Sequence, residues 1–138
     1  GVLVVGGQDD KDEVASTEFF NIETNFFSSF LDMRFRRCDC ATAVLEDGRV
    51  VVVGGYDNTA SLSSTEVLSP ASNTWTRGPE MDSARFGCAA LPLSGSRVLV
   101  IGGSRVLRGN VFLSTTEIVD LASGVSEQGP EMSCPRSS

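Results

Sequence analysis

The chain has 138 residues, 41% of them hydrophobic, with 11 basic against 18 acidic side chains and a net charge of −7. That content builds a sizeable core and excludes wholesale disorder, while no apolar run approaches the roughly 18 residues of a membrane span. The acidity opposes a nucleic-acid partner, which needs a basic face, and the lack of histidine removes Ser-His-Asp and Cys-His catalysis, histidine metal sites and a histidine pH switch from these residues.

In chain order the elements come three times over. An apolar run, Val2-Leu3-Val4-Val5, ends at Gly6-Gly7 and is followed by the acidic loop Asp9-Asp10-Lys11-Asp12-Glu13. Then come Ser16-Thr17-Glu18, a turn at Asn25, Met33 and Arg37. The second copy opens with a strand from Cys40 to Leu45. The Asp47-Gly48 turn, a hairpin signal, joins it to a strand from Arg49 to Val53 that ends at Gly54-Gly55. A strand from Thr65 to Leu68 stops at Ser69-Pro70, and one from Thr74 to Arg77 stops at Gly78-Pro79, before Met81 and Arg85. The third copy repeats the order with Val98-Leu99-Val100-Ile101, Gly102-Gly103, Thr115-Thr116-Glu117, Gly124, Met132 and Arg136. Successive Gly pairs are 48 residues apart, and three extra residues separate the last pair from its Glu.

A self-similar period of this length indicates a repeat architecture. Val50 to Val53 are apolar at every position, whereas a strand covered on one face alternates. Cover on both faces requires a sheet stacked between two similar sheets, so each repeat reads as one blade of a propeller. Phe26, Phe27, Phe30, Leu31 and Phe35 also fit a short amphipathic helix, but Phe27 takes the register position of Trp75 and Met33 that of Met81. The register therefore predicts a distorted fourth strand there.

The residues Val-Val-Gly54-Gly55-Tyr56-Asp57-Asn58, Ser-Ser-Thr-Glu66-Val-Leu, Ser72-Asn73-Thr74-Trp75 and Pro79-Glu-Met81 resemble a kelch repeat. Its hallmark is the double glycine followed by a spaced Trp. The resemblance implies an all-β, partial kelch-type β-propeller of three consecutive four-stranded antiparallel blades, the first lacking its inner strand. The structural signature is then Gly6, Gly7, Gly54, Gly55, Gly102, Gly103 and Trp75. The repeats are expected at 1–35, 36–83 and 84–134, with 135–138 starting a further one. The Trp position holds Phe27 in the first copy and Ser126 in the third. The aromatic expected two residues after the Glu is Phe20, Leu68 and Val119 in turn, so the third blade should be the loosest. Closed propellers need roughly 4–8 blades, so the chain is expected to be a piece of a longer protein or to close by assembling with other copies.

Candidate chemistry is sparse. The Gly pairs match no phosphate-binding fingerprint and read as strand-ending turns. The loop at 9–13 lacks the glycine and terminal Glu of an EF-hand and reads as a solvated loop. Cys40 and Cys88 are repeat-equivalent and read as small buried hydrophobes, and Cys38-Asp39-Cys40 lacks a zinc or redox spacing. Four cysteines and no glycosylation sequon give no pointer to secretion. Location stays open, with a cytoplasmic setting favoured. No cofactor or metal is expected.

Strand alternation sends the second-to-third and fourth-to-first connections to one face, and the insertion in the third copy falls there, where repeat proteins collect binding loops. Tyr56, Arg105 and Arg108 lie in these loops. Arg37, Arg85 and Arg136 start the inner strands beneath them, where a ring of Arg could receive an acidic segment. The alternative is that the recurring Arg are held by the blades' own carboxylates, Glu66 and Glu117. The expected function is a protein-interaction scaffold presenting this face to a protein partner, with no nucleic acid, no membrane segment and no catalysis. Kelch proteins often act as adaptors, cytoskeletal partners or substrate receptors, roles that come from accessory domains. The runner-up is a non-catalytic part of an enzyme resembling galactose oxidase, whose copper chemistry uses His and Tyr ligands. Here only Tyr56 is available.

Overall fold

The computed structural model describes residues 1–106 and 109–137. Among them every regular element is a strand, and no helix is long and apolar enough to cross a membrane. The first sheet holds β1 (Val2–Val5), β2 (Thr17–Asn21) and β3 (Phe26–Ser29) in that order. The second is a four-stranded meander of β4 (Ala41–Val44), β5 (Val50–Val53), β6 (Thr65–Ser69) and β7 (Thr74–Arg77). In the third, β8 (Ala89–Pro92) and β9 (Arg97–Ile101) are followed by a separate two-stranded ribbon, β10 (Ser104–Val106) with β11 (Asn110–Phe112). The sheet then resumes with β12 (Thr116–Asp120) and β13 (Val125–Gln128). All pairings are antiparallel. The sheets are kelch-type propeller blades in an arc that does not close.

The phenylalanine-rich stretch forms no helix: Phe26 and Phe27 lie in β3, and Phe30, Leu31 and Phe35 follow it outside any regular element. β3 pairs with β2 over four positions, Phe27 opposite Phe20, where β7 places Trp75 opposite Leu68. The anticipated distortion is absent from this ladder. The ribbon is the feature that reading by loops missed. Two three-residue strands around Gly109 (φ 116°) use the extra length of the third copy, and glycine permits the left-handed turn between them.

The core lies between sheets, as the unbroken valines of β5 require. Val51, Val52 and Val53 are fully buried. Val51, Val53 and Val67 face the third sheet through Val98, Val100 and Val119, and Val52, Leu68 and Trp75 face the first through Leu3, Val5, Phe30 and Met33. The third sheet is therefore firmly seated on its inner side, Val98, Val100 and Val119 all being fully buried, even without an aromatic at either position.

Gly54 shows why the doublet ends the second strand. Its φ is +60°, and a Cβ there would run into the Arg85 carbonyl oxygen. Gly54→Ala is expected to cost at least about 1–3 kcal/mol from backbone strain alone. A lowered urea midpoint at unchanged m-value reads that loss, and an unchanged midpoint contradicts it.

Candidate functional site

Arg37 and Arg85 are fully buried, each where one blade hands the chain to the next. Their backbones belong to the turn of the preceding blade. Arg85 accepts from Gly55 N–H at 2.8 Å and donates to the Leu62 carbonyl at 3.0 Å; Arg37 does the same with Gly7 at 2.9 Å and Val14 at 3.2 Å. Their side chains belong to the following blade. Arg85 Nη1 donates to the carbonyls of Gly102 at 2.7 Å and Thr115 at 3.1 Å, and Nη2 to Thr115 Oγ1 at 3.2 Å and Glu117 Oε1 at 2.6 Å. Arg37 repeats the set on Gly54, Ser64 and Glu66. Burial pushes the Arg37 guanidinium below its usual value, opposed by the Glu66 charge. The carboxylates are equally committed. Glu66 accepts the Arg34 amide at 2.8 Å, and Glu117 accepts the Asp82 and Ser83 amides at 2.7 and 3.0 Å. Ser126, at the Trp position of the third blade, donates its hydroxyl to Glu117 Oε2 at 3.0 Å.

This arrangement corrects the expectation of an arginine ring open to a partner. Arg37 and Arg85 are inter-blade staples, because a charge so enclosed holds only when paired and hydrogen-bonded. Arg136 differs: its backbone is held by Gly103 at 2.7 Å and Leu113 at 3.1 Å, but its side chain is exposed.

The connections gather at one end of the sheets. Cys38 bridges to Tyr56, and Phe86 bridges to Ser104. Neighbouring loops are tied across the blades, Asn58 Nδ2 donating to Asp12 Oδ1 at 2.9 Å and the Val106 amide to Ser61 Oγ at 2.8 Å. The Tyr56 ring, half-buried, lies 6.0 Å from that of Phe86. Arg105 is half-buried on β10, and Val106, Val111 and Phe112 are exposed on the ribbon. Arg108 lies outside the described residues. The acidic loop keeps its own turn, Asp9 Oδ1 accepting the amides of Lys11 at 2.8 Å and Asp12 at 2.9 Å, bonds that hold the Asp9 carboxyl below its usual range. This end is therefore acidic toward the first blade and basic and apolar toward the third. Phe86, Val111 and Phe112 were not picked out from sequence; a three-residue strand leaves too short a pattern for alternation to register.

Cys88 is buried, and burial pushes its thiol up to about 11. At pH 8 roughly one molecule in a thousand then carries its thiolate. Alkylation of the native protein is expected to label exposed Cys134 at least about 100-fold faster than Cys88. Peptide mapping of the modified sites reads this, and equal rates contradict it.

Among protein families, the Kelch motif matches residues 36–82, the stretch that runs from beside the Arg37 staple through the whole second sheet to Met81. No curated protein matched the chain. The flanking sheets repeat the same contacts: the hydroxyls of Thr17, Thr65 and Thr116 donate to the carbonyls of Leu31, Pro79 and Pro130 at 2.7, 2.7 and 2.8 Å. One Kelch motif is thus matched directly, at residues 36–82, and its internal bonds recur in the sheets on both sides, consistent with a kelch-repeat family.

Proposed function

We propose that this chain is a non-catalytic protein-interaction module, with repeats at 1–35, 36–83 and 84–134, and that it presents the loop end of its blades to a protein partner. The observation that carries this reading is the β10–β11 ribbon. It projects Val106, Val111 and Phe112 into solvent beside Arg105, Tyr56 and Phe86, while the blades beneath are locked by buried staples. Exposed apolar side chains rimmed by polar ones on a rigid support suit protein recognition, and aromatic and arginine residues are the usual anchors. Arg105 and Tyr56 are the polar contacts of this surface. Arg136 stands apart from the ribbon.

The test is paired substitution on the ribbon. Val106→Asp with Phe112→Asp is expected to cut capture of partners from cell extract by more than about 30-fold relative to the unaltered protein, the scale of an interface hot spot. The melting temperature should move little, since exposed substitutions stay within about 0.5 kcal/mol. Undiminished capture of the same proteins places recognition elsewhere.

A further inference from the structure

Glu13 is a buried carboxylate with nothing to hold it. The residue is 6% exposed, and its Oε2 is enclosed without a hydrogen-bond partner. No hydrogen bond or ion pair reaches the carboxylate among the described residues. Its backbone is fixed: Glu13 bridges to Gln8, and Val14 beside it donates to the Gly7 carbonyl at 3.0 Å and accepts the Arg37 amide at 3.2 Å. The other buried acids of the blades, Glu66 and Glu117, are each met by an arginine and by backbone amides. An unpaired buried charge is among the costliest groups a fold can carry. A carboxylate kept that way in the free chain points to a cation that arrives from outside.

Glu13 does not lack its partner for want of a neighbouring blade. Ser61 holds the same register position, five residues before Glu66 as Glu13 is before Glu18. Both close the same bridge, Ser61 to Tyr56 and Glu13 to Gln8. Ser61 Oγ is satisfied from the following blade, by the Val106 amide at 2.8 Å. For Glu13 the following blade is the second, whose four strands are all present. Burial, and then the charges of Asp39 and Glu13, push the thiol of Cys38 there upward. Basic groups of this stretch are committed elsewhere, Arg36 to Asp12 at 3.7 Å and Arg37 to Glu66, or exposed, as Lys11 is.

Beyond Glu13 a row of bridged residues crosses the loop end. Cys38 bridges to Tyr56, whose ring lies 6.0 Å from Phe86. Phe86 bridges to Ser104, which pairs with Phe112 on the ribbon. The row is anionic at the first blade and aromatic toward the third.

We propose that Glu13 receives a Lys or Arg side chain of the protein partner whose apolar residues dock on the ribbon. This rests on the interaction reading above. A carboxylate desolvated on folding gains more from an arriving cation than exposed Asp9 or Asp10 does, because the exposed groups must still lose their water.

The probe is a positional peptide library, dodecamers randomised except at one position that holds each residue type in turn, captured on the immobilised 138-residue chain. Fixing Lys or Arg is expected to raise retention by about 10-fold over Ala, the scale of a charged hydrogen bond, apart from a gain for aromatic residues. Glu13→Gln should abolish the basic gain and keep the aromatic one, and Val106→Asp with Phe112→Asp should do the reverse. Glu46→Gln removes the same charge from an exposed turn at the other end of the second sheet and should change neither, which separates the site from general attraction to a chain of net charge −7. Glu13→Gln should also raise the urea midpoint of the free chain at unchanged m-value, since an amide costs less to bury than an unpaired charge. An aromatic gain without a basic one, a basic gain that Glu46→Gln reduces equally, or a lowered midpoint for Glu13→Gln would overturn this inference and leave the interaction reading standing. No retention of any peptide class overturns both.

Discussion

Arg85→Ala is expected to lower the stability of the folded chain by about 3–5 kcal/mol, the cost of breaking a buried ion pair from one side. Glu117 would be left with a buried charge and no counter-charge, and the carbonyls of Gly102 and Thr115 would lose a donor that serves both. Arg37→Ala should behave alike through Glu66. Exchanging the pair, Arg85→Glu with Glu117→Arg, is not expected to rescue the loss. A carboxylate at 85 cannot donate to those carbonyls, and a guanidinium at 117 cannot accept the amides of Asp82 and Ser83. Arg85→Lys should fall between, since an ammonium keeps the charge but lacks the planar fork. Chemical unfolding of the four variants orders them. A loss below about 1 kcal/mol for Arg85→Ala would put this pair with exposed salt bridges and remove its role as a staple.

Trp75→Ala carries the second large effect, about 3–5 kcal/mol for loss of a buried aromatic where the site collapses poorly. The indole is 8% exposed, packs with Met33, Val52 and Leu68, and donates Nε1–H to the Leu31 carbonyl at 2.8 Å. That carbonyl also accepts the Thr17 hydroxyl, so the ring ties the second blade to the end of the first. Trp75→Phe separates the contributions: it keeps most of the ring and loses the hydrogen bond, worth about 1 kcal/mol. As the only tryptophan, Trp75 reports directly, and its emission should sit well to the blue of free indole and shift red on unfolding. A solvent-like maximum in the native protein would contradict this placement.

Much of the fold was legible before any coordinates. The strand from Arg49 to Val53 could be read as covered on both faces because its valines never alternate, and β5 is buried as that demands. The register of Phe27 on Trp75 chose strand over helix for a stretch whose own spacing fits a short helix. The candidate site was less legible. The Arg and Glu positions could be matched by spacing, but two roles were open for the same residues, and spacing cannot say whether a guanidinium faces solvent or another blade. The ribbon was hidden because two three-residue strands around a glycine are too short to show a period.

Sequence by itself determined the repeat, the strand order within each blade and where each strand stops, because these rest on local chemistry: unbroken apolar runs, an Asp-Gly hairpin turn and glycine doublets with left-handed backbone. Tertiary structure alone decided what each repeated residue does. Phe27 and Trp75 share one ladder position, yet Phe27 is 58% exposed and Trp75 is 8% exposed. Arg85 is buried and Arg136 is open in the same backbone setting. In each pair the local geometry is alike and the neighbouring sheet differs. Burial and charge pairing are properties of two surfaces in contact, and a repeat carries only one of the two.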